Sequence, residues 1–322
     1  VGRRNGGNMN IWVAVILFAI GIVLVMKGGD AFVDAATWIA KAAGIPTFII
    51  GATIVSIATT LPELITSVIA AARGQNDMAI GNAVGSVIAN TGLILALSLI
   101  FMSISIVRKE YIKQCAILVV CAALLWIGSL SGQLAPWASV LLFLLFVGFM
   151  ALNVVNAKNQ ISDVDDKVVV NKKEAIMNVA FFVLGAAGIV IGSTFLVEGG
   201  TTIAAFLKVP ERIVAVTMVA IGTSLPELVT TITAIRKKES SLSIGNIVGA
   251  NIIDLSMILP ICSIVSGRPL PIEGKCLTVD LPACLAIIAI ALIPLLVRQK
   301  SSKVQGLAVV LSYAVYLFLT IV

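Results

Sequence analysis

Thr59-Thr60-Leu61-Pro62-Glu63 returns 164 residues later as Thr223-Ser224-Leu225-Pro226-Glu227. Each copy sets a proline and a carboxylate inside a long apolar run. An ionisable group at membrane depth is a functional-site hypothesis by default. A proline there frees backbone oxygens that an unbroken helix would use internally. The pair, twice in matching places, predicts a two-halved ion transporter.

The repetition extends well beyond the pentapeptide. A shift of 164 residues aligns 53–95 with 217–259 without a gap, and 18 of the 43 pairs are identical. That is far above chance, so the chain carries an internal duplication. Val33-Asp34 against Val197-Glu198 extends the similarity towards the start of each half.

Composition places the whole chain in a membrane. Of 322 residues, 59% are hydrophobic and only 12% are charged, where a soluble domain carries roughly 25% charged residues. The expected fold class is an all-α integral membrane protein of ten spans. The spans fall near 10–27, 46–73, 78–103, 111–130, 134–156, 175–195, 210–236, 242–266, 276–297 and 304–322. The second and seventh are expected to break at Pro62 and Pro226. Residues 30–44, with Asp30, Asp34, Trp38 and Lys41, read as an amphipathic segment along the interface. Five spans separate equivalent positions, and an odd number inverts the second copy across the membrane. Residues 1–9 read as an N-terminal extension with Met9 a candidate start. Residues 10–156 form the first repeat, 157–174 a cytoplasmic linker and 175–322 the second repeat.

Several function classes drop out. There is no histidine, so histidine metal sites, Ser-His or Cys-His catalysis and histidine relays are excluded. No enzyme signature is present, and neither a catalytic residue nor a cofactor site is expected. Cys115, Cys121, Cys262, Cys276 and Cys284 form no C-x-x-C and read as core thiols. Asp163, Asp165 and Asp166 lack EF-hand spacing and read as a solvated linker. Loops on the side opposite the termini carry 15 of the 22 Lys and Arg. The positive-inside rule then puts both termini outside, in a multi-pass protein of the plasma (inner) membrane.

The repeated motifs carry the chemistry. Pro62 and Pro226 leave carbonyls near Ala58–Thr59 and Gly222–Thr223 available, and Glu63 and Glu227 follow directly. Thr59, Thr60, Thr223 and Ser224 add hydroxyls. Two carboxylates among neutral oxygens suit a hard cation such as Ca²⁺, which takes 6–8 oxygens. In the next helix of each half, Gly81-x-x-x-Gly85 and Gly245-x-x-x-Gly249 allow close backbone approach. Asn82, Ser86 and Asn90 share one helical face, as do Asn246, Ala250 and Asp254.

These residues resemble the cation/calcium exchanger superfamily, in its prokaryotic sodium/calcium exchanger branch. TTLPE with GNAVGSVIAN looks like its first repeat, and GTSLPE with GNIVGANIID like its second. The resemblance covers the ten-helix layout. It implies four ion sites in a diamond. Glu63 and Glu227 would bind Ca²⁺ with backbone oxygens of Thr59 and Thr223, and would help hold Na⁺ in the alternative load. Ser56 and Ala220 would offer carbonyls to flanking Na⁺ sites, to which Thr59, Ser86 and Thr223 also contribute. Asn90 and Asp254 would line the centre. Ala250 departs from the serine often found there, which weakens one Na⁺ site. Asp254 opposite Asn90 leaves K⁺ co-transport open.

The expected function is alternating-access antiport of Ca²⁺ against Na⁺. Proton- or potassium-coupled exchange is the alternative, and a cation channel a further one. The expected partners are small inorganic cations and the lipid bilayer, with no nucleic acid and no obligate protein partner.

Overall fold

A computed structural model describes residues 10–102, 104–161, 171–207 and 224–321. Among them the chain is helical throughout, with only two isolated β-bridges. In chain order the helices are α1 (Ile11–Ala43), α2 (Thr47–Ala72), α3 (Asn76–Phe101), α4 (Arg108–Gly128) and α5 (Pro136–Ile161). Then follow α6 (Lys172–Phe206), α7 (Leu225–Lys237), α8 (Ser240–Val265), α9 (Cys276–Arg298) and α10 (Lys303–Ile321). Nine of these are long and apolar enough to cross a membrane, and the described part of α7 has 13 residues. Large apolar side chains such as Leu184, Ile293, Leu311 and Phe318 stand exposed on the outer surface, as lipid-facing positions do. All five cysteines are free, four of them buried.

Two expectations about α1 and α6 are corrected. Residues 30–44 are not a separate interfacial segment, because α1 runs unbroken from Ile11 to Ala43. Its inner stripe, Phe32, Val33, Ala36 and Ala40, is fully buried. An amphipathic stripe looks the same in sequence whether it meets headgroups or another helix. Gly44, at φ 65°, ends the helix in the left-handed conformation that glycine adopts without strain. Likewise α6 continues to Phe206, well past the expected end near 195.

The reason for both lengths is mutual packing through small residues. A Cβ on Gly28 would stand 2.9 Å from the Gly185 carbonyl, on Gly21 2.9 Å from that of Gly192, and on Gly199 2.7 Å from that of Ala14. In lipid, apolar burial does not drive helices together, so such close backbone contact supplies the association. The partner number falls as the α1 number rises, so α1 and α6 run antiparallel.

The same reversal appears in two further helix pairs related by the 164-residue shift. Ser98 bonds Ser243 at 2.9 Å while Asn90 bonds Asn251 at 3.1 Å, so α3 and α8 run antiparallel. At the start of α4, Ile106 N donates to Gln299 O (3.0 Å), just past the end of α9. Beyond the other end of α4, Leu134 N donates to Leu270 O (2.8 Å), ahead of α9.

The polar face of α1 meets the end of α7. Lys237 Nζ lies 2.6 Å from Asp34 Oδ1, and Arg236 lies 3.7 Å from Asp30. Asp34 is largely exposed, with 67% of its side chain accessible. Asp34→Asn is therefore expected to cost no more than about 1 kcal/mol, read as a small drop in melting temperature that salt diminishes.

The expected break at Pro62 is also corrected. Pro62 lies inside a continuous α-helical stretch, Ser56–Ala72. One missing donor does not unwind a turn whose neighbours Thr59, Thr60, Glu63 and Ser67 are all buried in contacts. The departure from α geometry comes earlier, as a π-helical stretch at Gly51–Val55. Pro226 stands in the first turn of α7, where its missing N–H has no helical partner to lose. What precedes α7, the expected 210–223 segment, lies outside the described residues, as do residues 1–9 and linker residues 162–170.

Candidate cation-binding site

The site is assembled from four helices, two from each half. Helix α2 brings Ser56, Thr59, Thr60 and Glu63, and α7 brings Glu227, with Ser224 just ahead of its first turn. Helix α3 contributes Ser86 and Asn90, and α8 contributes Asn246 and Asp254. Asn90 and Asp254 each open a π-helical stretch, Asn90–Leu95 and Asp254–Ile258. Such wide turns are frequent at functional sites.

Close packing of α8 on α2 holds the two halves together. A Cβ on Gly249 would stand 2.5 Å from Ala52 O and 2.6 Å from Ser56 Oγ. A Cβ on Gly245 would collide with the Phe48 carbonyl. Thus the second G-x-x-x-G is a backbone-to-backbone seam. Gly81 and Gly85 have no atom within 4 Å of the corresponding point among the described residues.

Hydrogen bonds cross between the halves at the pentapeptide. Thr60 Oγ1 donates to Glu227 Oε1 at 3.4 Å. Thr59 Oγ1 lies 3.2 Å from Asn246 Oδ1 and 3.3 Å from the Ser56 carbonyl. Within the first half, Asn82 Nδ2 donates to the Glu63 carbonyl (3.2 Å) and to Ser67 Oγ (2.9 Å). Both polar stripes therefore face the proline-glutamate segments.

Burial is complete where charge is greatest. Glu63 is 1% exposed, and Glu227 and Asp254 are 0%. The three carboxylates lie near enough for their charges to interact. Of the residues gathered here, six carboxylate and amide oxygens have no hydrogen-bond partner among the described residues. They are both oxygens of Glu63, both of Asp254, Glu227 Oε2 and Asn90 Oδ1. Ser224 Oγ is also buried and unpartnered. Unpaired buried carboxylates are strongly unfavourable, and a cation among them removes that cost. Among the described residues no three of Cys, Asp or Glu gather closely enough to form a metal cluster by themselves. A cation here would have to draw on neutral oxygens as well as carboxylates.

Residues 13–155 and 177–322 match the family described as sodium/calcium exchanger protein. The chain belongs to that family. Among relatives of this sodium/calcium exchanger family member, the inner membrane protein YrbG of Escherichia coli is 34% identical over 264 residues. That alignment covers 79% of this chain and 80% of YrbG. The sodium/calcium exchanger MaX1 of Methanosarcina acetivorans is 29% identical over an alignment of 351 positions, which covers 95% of this chain and 98% of MaX1. Among solved structures, the sodium-calcium exchanger NCX_Mj soaked with 10 mM Na⁺ and 10 mM Sr²⁺ superposes with a TM-score of 0.83 at 27% identity. That match covers 95% of this chain and 98% of NCX_Mj.

Of the residues singled out in the sequence, Ser56, Thr59, Thr60, Glu63, Ser86, Asn90, Ser224, Glu227 and Asp254 are all buried. Thr223 and Ala220 lie outside the described residues. Ala250 is fully buried and brings no side-chain oxygen. Sequence reading missed Asn251, Thr91 and Ser67. The one sequence signal for Asn251 is an amide inside an apolar run, between Ala250 and Ile252, where the first copy has Val87.

Proposed function

We propose that this membrane protein is a secondary antiporter exchanging Ca²⁺ for Na⁺ by alternating access at a site between two inverted repeats. The observation that carries the reading is the set of six unpartnered buried acceptor oxygens. Carboxylate and amide oxygens are the ligand types Ca²⁺ takes. The antiparallel pairs α1/α6, α3/α8 and α4/α9 support inversion of the second repeat, and an inverted pair of halves is the architecture in which such sites form near the midplane.

Glu63 and Glu227 are the shared carboxylates, together about −2 when both are ionised. One Ca²⁺ neutralises them, whereas three Na⁺ would leave an excess of one charge and make exchange electrogenic. Thr59, Thr60, Ser56, Ser86, Ser224 and, by the repeat, Thr223 and Ala220 supply neutral oxygens around them. Asn90 and Asp254 line the centre. The names of MaX1 and NCX_Mj, both sodium-calcium exchangers, favour Na⁺ as the coupling ion. Asp254 is the observation that favours a second coupling, with K⁺ or H⁺, because the Na⁺ count closes only if this third carboxylate is protonated or shared. The first repeat is assigned to 10–156 and the second to 175–322, joined by a cytoplasmic linker, with both termini outside the plasma (inner) membrane.

The test is ⁴⁵Ca²⁺ flux into proteoliposomes with Na⁺, K⁺ and H⁺ gradients imposed one at a time. An outward Na⁺ gradient should drive uptake that saturates with Ca²⁺. Uptake driven by a pH gradient alone would replace Na⁺ with H⁺ as the coupling ion. Unitary currents without counterflow would replace exchange with a channel.

A further inference from the structure

Asn251 stands where the duplication puts Val87, and its side-chain hydrogen bonds go to Asn90 and Thr91. Its own hydrogen bonds explain the substitution. Asn251 Oδ1 accepts from Asn90 Nδ2 at 3.1 Å, and Asn251 Nδ2 donates to Thr91 Oγ1 at 2.8 Å. All three residues are buried, at 0% to 1% exposure. The amide nitrogen of Asn90 is thereby occupied, while its Oδ1 is left without a partner.

We propose that Asn251 is a positioning residue: braced by Thr91, it holds the Asn90 amide with its oxygen, not its nitrogen, presented to the transported cation. This rests on the exchanger reading and deepens it. An amide has one accepting and one donating end. Rotated by half a turn, Asn90 would aim an N–H₂ group at a cation, which is repulsive. An ionised carboxylate has no wrong end, since both oxygens accept. Asp254, the counterpart of Asn90, therefore needs no such brace. The residue equivalent to Asn251 on its side is Val87, which offers none. The asymmetry of the two repeats at 87/251 thus follows from the asymmetry at 90/254.

The test measures Ca²⁺ titration of the melting temperature of purified full-length protein, together with the KM and maximal rate of uptake. Partners that orient a ligand typically contribute about 10–100-fold in metal affinity. Asn251→Val should raise both the Ca²⁺ midpoint and the KM by roughly that factor, with the maximal rate largely retained. Thr91→Val should move them in the same direction by less, and Thr91→Ser, which keeps the hydroxyl, should match the wild type. In an Asn90→Asp background, Asn251→Val should lose most of its effect, because a carboxylate needs no orienting.

An unchanged KM in Asn251→Val overturns the inference, as does a lower maximal rate at unchanged KM. An effect undiminished in the Asn90→Asp background also overturns it, because it marks a structural role. If Asn251→Val does not fold, or Asn90→Asp shows no midpoint, the Thr91 pair decides on the same criteria. A wild type whose melting Ca²⁺ does not shift overturns the exchanger reading, and this inference with it. A responsive wild type with an equally responsive Asn251→Val overturns this inference alone.

Discussion

Glu63→Gln is expected to abolish Na⁺-gradient-driven Ca²⁺ uptake, and Glu227→Gln to do the same. Each substitution keeps the shape of the side chain and removes its charge. Each residue is almost wholly buried, with at least one carboxylate oxygen unpartnered. The buried remaining carboxylates then face the cation with one charge too few. Removing one member of a buried charge set typically costs about 3–5 kcal/mol, more than about a hundredfold in affinity. The double variant should be scarcely worse than either single one, since the two carboxylates act as one site. Glu174→Gln is the control, because Glu174 is exposed and its side chain accepts a bond from Trp38 Nε1. Uptake at the wild-type rate in Glu63→Gln would remove Glu63 from the site.

Gly249→Ala is the second large effect, and it acts without touching a charge. The new methyl would stand 2.5 Å from the Ala52 carbonyl and 2.6 Å from Ser56 Oγ. Backbone cannot rotate away as a flexible side chain can, so α8 must move off α2. Overpacking of this kind typically costs about 1–3 kcal/mol. The displaced helix, α8, carries Asn246 and Asp254 and is drawn away from Thr59, Thr60 and Glu63 of α2, so transport should fall further than the loss of stability alone accounts for. The measurement pairs melting temperature with uptake per folded protein. Gly148→Ala is the control, because a Cβ there meets no atom within 4 Å among the described residues. Normal melting and normal uptake in Gly249→Ala would show that the seam is not tight.

Much of this candidate site was legible in the sequence. Repetition and hydropathy suffice to single out Glu63 and Glu227, because a carboxylate in an apolar run is conspicuous whatever surrounds it. Asn90 and Asp254 followed from helical spacing. Two features were not legible. The course of α1 past residue 30 was misread because its polar stripe gives no sign of whether lipid headgroups or Arg236 and Lys237 will meet it. Pro62 was read as a break because proline chemistry is local, whereas the continuity of the helix depends on the burial of the turns around it.

The sequence by itself determined that the chain is a helical membrane protein, duplicated, with acidic groups in matching places of each half. Those properties are written in composition and period, which do not depend on what packs against what. Only the tertiary structure decided that equivalent helices run antiparallel, and that α8 lies on α2 through Gly245 and Gly249. It alone brought Thr60 to Glu227 and Asn251 to Asn90. These are contacts between residues more than 150 positions apart, and no local pattern encodes which of two buried polar groups will find the other.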